Sequence, residues 1–192
     1  MEKLPLIKLT IDPNDERSGV EFVSFVDRPA IERQWQAFAD EGKPLKFAVT
    51  SEPLRIVSGP MMVAGMPIYR RSEQVGEYYV QFDADAIREI VYKYFKNART
   101  VTANVMHKSE VDGVFMFESW LTDTAKPAPV GFESLPDGSW FGSFKVDNDE
   151  VWAKVVDGTF TGFSVEGIFL EAEQLEIDRA IVDEVVAALC KE

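Results

Sequence analysis

The chain contains few of the residues that build disulfide bonds, metal centres or nucleic-acid contacts. Among its 192 residues there is one Cys and one His, and 33 Asp and Glu outnumber 20 Lys and Arg, which leaves a net charge of −13. The lone Cys190 cannot form an internal disulfide or a cysteine metal site, and no ligand-like residues recur near the lone His107. Because clustered basic residues bind a phosphate backbone, we expect neither a metal nor a nucleic-acid partner.

Long apolar runs are also missing. No stretch approaches 18 apolar residues, and Met1–Pro5 carry no basic region followed by an apolar run. A membrane-spanning helix needs about 20 apolar residues, and a secretion signal needs that basic-then-apolar order. We therefore expect a soluble protein with no membrane partner that stays in the compartment where it is made.

Enough apolar material remains for a single core. Hydrophobic residues make up 46% of the chain, and 14 Phe and 4 Trp are among them. This composition is typical of a folded globular protein, and a chain of this length buries most of its apolar surface in one core. We expect one domain over residues 1–192.

Segments of strand length are the most frequent pattern. Apolar alternation, or short apolar runs bounded by turn residues, predicts strands at 6–11, 20–26, 78–82, 100–106, 114–121, 139–146 and 159–170. The first two, joined by the turn-like Asp12–Asp15, predict an opening hairpin, and residues 54–66 predict two strands separated by a kink. We expect the sheet to bury Tyr78, Val80, Phe82, Val101, Val105, Phe144 and Phe163.

Helical patterns are fewer. They cover residues 29–40, 84–97, a short segment after the cap residue Asn148, and 177–190. In the clearest of them Asp83 is an N-cap. One stripe of that helix carries Ile87, Ile90, Val91 and Tyr94. Together the elements predict an α+β fold, with an antiparallel, barrel-like sheet flanked by helices.

His107 must carry any chemistry that requires an imidazole, because the chain has no other histidine. By strand parity it continues the face of Val101, Ala103 and Val105, which predicts a position at the end of a strand on the apolar side. A structural histidine at the rim of the core fits the same position, so both interpretations stay open.

Ser164 lies inside the apolar strand pattern of Gly162–Gly167. Glycine weakens a strand interior unless something approaches the backbone closely there, and a substrate is one such thing. A serine beside a β-bulge is the structural alternative. The motif is not a nucleophile elbow, because Glu166 occupies the position where that turn requires glycine.

Glu118 lies among aromatic residues in the run 114–121. Burial of a carboxylate is costly without a partner, so Glu118 either faces solvent or pairs with a group such as an imidazole. The acidic run Asp147–Glu150 lacks the glycine and terminal glutamate of a calcium-binding EF-hand loop. We interpret that run as a helix cap.

Several segments, taken in order, resemble one family. They are GVEFVSFVDRPAI at 19–31, GPMM at 59–62, PIYRR at 67–71, GEYYV at 76–80, NVMH at 104–107, ESW at 118–120, GSWF at 138–141, KVDNDEVW at 145–152 and GFSVEG at 162–167. From about residue 19 to residue 170 they resemble the XkdF-like serine proteases of phages and prophages. These are a branch of the prohead (procapsid) maturation proteases, which are related to herpesvirus assemblins. The resemblance implies a β-barrel flanked by helices.

The resemblance also implies site residues. Ser164 corresponds to the nucleophile and His107 to its general base on a neighbouring strand, so we expect the two within hydrogen-bonding reach. Assemblins complete their triad with a second histidine, which this chain lacks. An acid, a water or nothing must take that place, with Glu118 as the candidate and Glu166 as the alternative. Many relatives carry acidic residues where this chain has Met106 and Lys108, which leaves the third role open.

The implied function is a serine endopeptidase without a cofactor. It would cleave segments of phage scaffold protein and major capsid protein, and itself, inside the procapsid in the cytoplasm of the bacterial host, with self-association left open. One alternative is a noncatalytic assembly module with a protease-like fold that binds scaffold or capsid protein. Another is a Ser/Lys hydrolase that uses Lys145 as the base, with His107 structural.

Overall fold

The computed structural model describes residues 3–27, 46–74, 76–178, 181–182 and 184–185. Strands and helices follow one another as β1 (Lys3–Thr10), β2 (Gly19–Val26), β3 (Ala48–Ser51), β4 (Ile56–Met62), β5 (Ile68–Ser72), β6 (Gly76–Gln81), α1 (Ala84–Lys96), a 3-10 turn (Arg99–Val101), β7 (Ala103–Val105), β8 (Ser109–Val111), β9 (Val114–Leu121), β10 (Trp140–Val146), α2 (Asp149–Val156), β11 (Gly162–Ile168) and β12 (Leu170–Asp178).

The strands form three sheets of four. Their orders are β12-β1-β6-β5, β3-β4-β10-β9 and β11-β2-β7-β8. Neighbouring strands are antiparallel except for the pairs β1–β6 and β2–β7. The α+β class is therefore confirmed. Within the described part of the chain no sheet closes on itself, so the barrel-like and assemblin-like details are not confirmed.

The predicted opening hairpin is wrong. Strand β1 pairs with β12 and β6, whereas β2 pairs with β11 and β7. The connection from β1 to β2 makes hydrogen bonds with residues far away in the chain. Its Ser18 donates from Oγ to the carbonyl oxygen of Ile168 at 3.4 Å, and its Asp12 carbonyl oxygen accepts from Lys93 Nζ at 2.9 Å. Local alternation predicted both strands, but these long-range contacts determine their partners.

Both capped helices are confirmed. Helix α1 begins after Asp83, whose Oδ1 accepts from the backbone N of Ala86 at 2.8 Å. Its predicted stripe is buried, with exposed fractions between 0 and 8% for Ile87, Ile90, Val91 and Tyr94. Helix α2 begins after Asn148, whose Oδ1 accepts from the backbone N of Glu150 and of Val151. The acidic run Asp147–Glu150 is therefore the cap and the beginning of the first turn of α2.

The predicted core residues divide into two groups. Val80, Phe82, Phe144 and Phe163 are buried as expected. Val101 is 66% exposed because it ends a 3-10 turn and not a strand, and Tyr78 and Val105 are only half-buried.

The remaining differences concern segment boundaries. Residues 54–66 contain one strand, β4, which runs through Pro60. Proline has no backbone N–H, but β3 pairs with β4 only as far as Ser58, so no hydrogen bond between β3 and β4 is lost at Pro60. The pattern 159–170 divides into β11 and β12. Ile177 belongs to β12 and not to a final helix, while residues 181–182 and 184–185 are helical. The remainder of the helix predicted at 177–190, and the helix predicted at 29–40, lie outside the described residues.

Candidate active site

Three polar side chains form a row across the sheet that contains β2. Ser164 of β11 lies directly opposite Ser24 of β2, which in turn lies beside Asn104 of β7. Opposed residues on neighbouring strands project from the same face of a sheet. The next residues along the strands, Phe25 and Phe163, project from the other face, where their rings meet at 5.1 Å. The row is therefore on the face away from this aromatic part of the core.

His107 lies in the turn between β7 and β8. The backbone N of Lys108 donates to the carbonyl of Val105 at 3.1 Å, and both central residues, Met106 and His107, have a φ of +55°. These are features of a type I′ turn. The turn ends the strand alternation, so the parity prediction was wrong: the ring of His107 joins the side of the sheet that carries Ser24, not the apolar face of Ala103.

Four side chains form a closed set of contacts that we name the polar ring: Ser24, Asn104, His107 and Glu166. His107 Nδ1 lies 2.9 Å from Ser24 Oγ and 3.2 Å from Glu166 Oε2. Asn104 Nδ2 donates to Glu166 Oε2 at 3.0 Å, and Asn104 Oδ1 is hydrogen-bonded to Ser24 Oγ. Nδ1 of His107 is therefore held by two oxygens, whereas Nε2 has no hydrogen-bonding partner among the described residues.

The polar ring is half buried and half exposed. Ser24 has no exposed surface and Asn104 is 5% exposed, whereas the side chains of His107 and Glu166 are 39% and 44% exposed. Water screens the charge interaction of the exposed pair, so a strong ion pair is not expected. What the arrangement supplies is orientation of the imidazole.

Ser164 lies in the wall of a cleft of about 440 Å³. The lining is mainly apolar and includes Leu9, Met61, Met66, Ile68, Val80 and Phe82. Ser164 itself is 7% exposed. The hydroxyl bonded to His107 is that of Ser24, and the described residues include no hydrogen bond between His107 and Ser164. Ser164 therefore lies between the cleft and the polar ring without closing onto the imidazole.

The close backbone approach expected in the Gly162–Gly167 motif comes from the chain itself. A Cβ at Gly167 would lie 2.0 Å from the carbonyl oxygen of Gly19 on β2. The register of β11 against β2 also shifts between Glu166 and Gly167. This is the β-bulge alternative, and such bulges re-aim the neighbouring side chain.

The structure does not bring Glu118 or Lys145 to this site. Both lie in the sheet of β9 and β10, where Glu118 is opposite Ser143. The exposed side chain of Glu118 has no hydrogen bond or ion pair with the described residues, and Lys145 is paired with Asp147 at 2.5 Å. The carboxylate beside His107 is that of Glu166.

Sequence reasoning missed Ser24 and Asn104. A signal for Ser24 was present, since it is a polar residue inside the apolar run 20–26, as Ser164 is in its own strand. That the two serines are neighbours follows from the pairing of β2 with β11, which no local pattern shows.

The described ranges contain neither a candidate metal cluster nor a candidate membrane-spanning helix. No group of three or more His, Cys, Asp or Glu in the described ranges could hold a metal ion. None of the helices in those ranges is long and apolar enough to cross a bilayer.

Comparison with known proteins identifies one family. A family model described as "Putative phage serine protease XkdF" matches residues 61–175, more than half of the chain. The matched part contains His107, Ser164 and Glu166, and Ser24 precedes it. No curated protein and no solved structure matches.

Proposed function

Because the chain belongs to the family described as putative phage serine protease XkdF, we propose that it is a serine endopeptidase with Ser164 as nucleophile and His107 as general base. The observation that carries this assignment is the position of Ser164, which lines the cleft and lies opposite Ser24, a direct contact of His107. The site thus combines a serine in the cleft wall with an oriented imidazole that contacts the neighbouring strand.

The chemistry needs a proton acceptor beside the serine. A serine hydroxyl becomes nucleophilic when an imidazole takes its proton during attack on the scissile carbonyl carbon, and the same imidazole returns the proton to the leaving amine. Water then hydrolyses the acyl-enzyme by the reverse proton path. In this chain Nδ1 of His107 is held, so Nε2 is the acceptor. Uncomplexed sites often have long catalytic contacts, and we expect Ser164 to close onto Nε2 when a peptide fills the cleft.

Ser24, the serine that contacts His107 directly, is not suited to be the nucleophile. It has no exposed surface, and its hydroxyl is occupied by Asn104 and His107. A hydroxyl that is buried and held by two partners offers no surface to a peptide carbonyl. Ser164 forms part of the cleft wall.

We assign the third role to Glu166 in preference to Glu118. Glu166 Oε2 lies 3.2 Å from His107 Nδ1, the position from which a carboxylate fixes the tautomer and stabilises the imidazolium. Glu118 lies in another sheet.

The proposed substrates are segments of the phage scaffold protein and major capsid protein, and the protease itself, inside the procapsid in the bacterial host. The phage origin of the family supports this setting. The apolar lining of the cleft favours segments with bulky apolar side chains at the cleavage site.

The test is intact-mass analysis of scaffold and capsid protein after incubation with the wild-type protein and with Ser164→Ala. We expect cleavage products only with the wild-type protein. Ser109→Ala, at an exposed serine of the same sheet, is the matched control and should cleave normally. Equal cleavage by Ser164→Ala would contradict the assignment. Binding of scaffold protein by the wild-type chain without any cleavage would favour the noncatalytic assembly module.

A further inference from the structure

We propose that Ser24 and Asn104 are positioning residues that hold the proton of the neutral His107 ring on Nδ1. The two residues touch neither the cleft nor Ser164 by a hydrogen bond, and they act through the imidazole. The inference depends on the proposed function only for its effect on catalysis, since the position of a proton on His107 is a property of the folded chain.

The directions of the hydrogen bonds follow from what each group can donate. An ionised carboxylate only accepts, so the Asn104 atom that meets Glu166 Oε2 must be the amide nitrogen. The amide oxygen of Asn104 therefore faces Ser24. A carbonyl oxygen also only accepts, so the single hydroxyl proton of Ser24 points to Asn104.

Ser24 consequently presents a lone pair to His107. Nδ1 lies within hydrogen-bonding distance of two oxygens, Ser24 Oγ and Glu166 Oε2, and both are acceptors in this arrangement. The proton of the neutral imidazole is then on Nδ1, and the lone pair is on Nε2. A general base needs that free lone pair, so the polar ring selects the tautomer that can accept the proton of Ser164.

Burial explains why the buried half of the polar ring matters. Ser24 and Asn104 are sealed from solvent, so water does not replace a partner that either of them loses. The direct pair of His107 and Glu166 is exposed, and water competes with it. The contact with Glu166 alone therefore orients the imidazole weakly. The buried contacts of Ser24 and Asn104 are what keep the imidazole proton on Nδ1.

The single histidine makes the test direct. In protein labelled with 15N-histidine and carrying no histidine tag, every imidazole signal belongs to His107, and the two ring-nitrogen shifts report which nitrogen holds the proton. Spectra are taken on the alkaline side of the measured titration of the ring. We expect the Nδ1–H form in the wild-type protein.

Two variants remove the arrangement in different ways. Asn104→Leu takes away the acceptor for the Ser24 hydroxyl, which is then free to donate to Nδ1, so the ring proton should move to Nε2. Ser24→Ala removes one of the two acceptors and should give a mixture of tautomers. Glu110→Gln is the matched control, because Glu110 is the β8 residue opposite Asn104 and is exposed; its spectrum should equal that of the wild-type protein.

The outcomes separate this inference from the proposed function. An Nε2–H form in the wild-type protein, or unchanged spectra in both folded variants, would overturn the inference even if the protein cleaves its substrates. The expected spectra in a protein that cleaves nothing would leave the inference standing and remove the protease assignment. Where cleavage occurs, both variants should lower kcat about 10- to 100-fold with little change in KM.

Discussion

In the described part of the chain, two pairs of buried serines face each other across antiparallel strands, and the two pairs differ in their surroundings. Ser24 and Ser164 join β2 to β11, and Ser58 and Ser143 join β4 to β10. All four are 7% exposed or less. The first pair adjoins an imidazole and a cleft. The second is satisfied by hydroxyls, since Ser58 Oγ lies 2.8 Å from Ser143 Oγ and 3.0 Å from Thr50 Oγ1.

The difference shows that a buried serine in a strand is not in itself a catalytic signal. The sequence offered Glu118 as a partner of His107 and Lys145 as an alternative base for Ser164. Both lie beside the second pair, Glu118 opposite Ser143 and Lys145 two residues after it in β10. Of the residues that the sequence pointed to, Ser164, His107 and the alternative carboxylate Glu166 belong to the sheet of the first pair, whereas Glu118 and Lys145 belong to the other sheet. Four predictions test this contrast, from the largest expected effect to the smallest.

The first prediction concerns His107→Ala. We expect cleavage to fall about 10³-fold or more, as far as in Ser164→Ala, and the double variant to be no worse, because nucleophile and base act as a unit. Initial rates of scaffold cleavage measure the effect, and circular dichroism checks the fold. Lys145→Met is the companion variant from the second serine pair and should cleave at the wild-type rate. A large loss in Lys145→Met with an active His107→Ala would support the Ser/Lys mechanism.

The second prediction compares the two carboxylates. Glu166→Gln should lower kcat about 10²-fold, because an amide at this position neither fixes the imidazole as well nor stabilises its charged form. Glu118→Gln should lower it less than twofold. Steady-state cleavage of one scaffold-derived peptide compares both variants. The reverse ranking would return the third role to Glu118, and no loss in either would mean a Ser/His dyad.

The third prediction concerns the cleft lined by Ser164, of which neither Ser58 nor Ser143 is a lining residue. Ile68 is half-buried in its lining, so Ile68→Ala removes apolar contact at a modest cost in stability. We expect kcat/KM for a peptide with a bulky apolar residue to fall about 10-fold, mostly through KM, because lost methylenes weaken binding by about 1–3 kcal/mol. A peptide with alanine at that position serves as the control and should change little. Equal losses for both peptides would place the substrate elsewhere.

The fourth prediction concerns the stability of the second pair. Ser143→Ala removes one hydroxyl bond while Ser58 keeps Thr50, so the free energy of unfolding should fall by about 1 kcal/mol and cleavage should stay at the wild-type rate. Urea unfolding measures the first and intact-mass analysis the second. Loss of cleavage in the folded variant would give the second pair a functional role.

Elements with strong local signals were predicted well from the sequence. Strand β9 has the predicted bounds, and α1 begins after Asp83 because one side chain caps it and four apolar residues share one stripe. Such signals act within a few residues along the chain. Strand pairing depends on residues far apart in the chain. The predicted pairing of β1 with β2 was wrong because β1 pairs with β12 and β2 pairs with β11.

The candidate site likewise has a part that local sequence indicates and a part that depends on contacts between strands. Ser164 and His107 carry recognisable residue types in distinctive local settings. The polar ring depends on the register of three strands and on a turn with positive φ at Met106 and His107, a conformation that is unusual for methionine. Strand alternation places Glu166 on the same face as Ser164, but its contacts with Asn104 and His107 also depend on the pairing of β11 with β2 and of β2 with β7.

The contact between Gly167 and Gly19 limits how freely the Gly162–Gly167 segment could be transplanted. The carbonyl oxygen of Gly19 occupies the space of a Cβ at position 167, so glycine is required at 167 as long as the neighbouring strand follows this path. That path has a φ of +121° at position 19, which favours glycine there as well. The six-residue motif is therefore one half of an interlocking pair, and its other half lies about 150 residues earlier in the chain. Grafting the strand of Ser164 alone onto another sheet would transfer the serine and lose the contacts of Glu166 with Asn104 and His107.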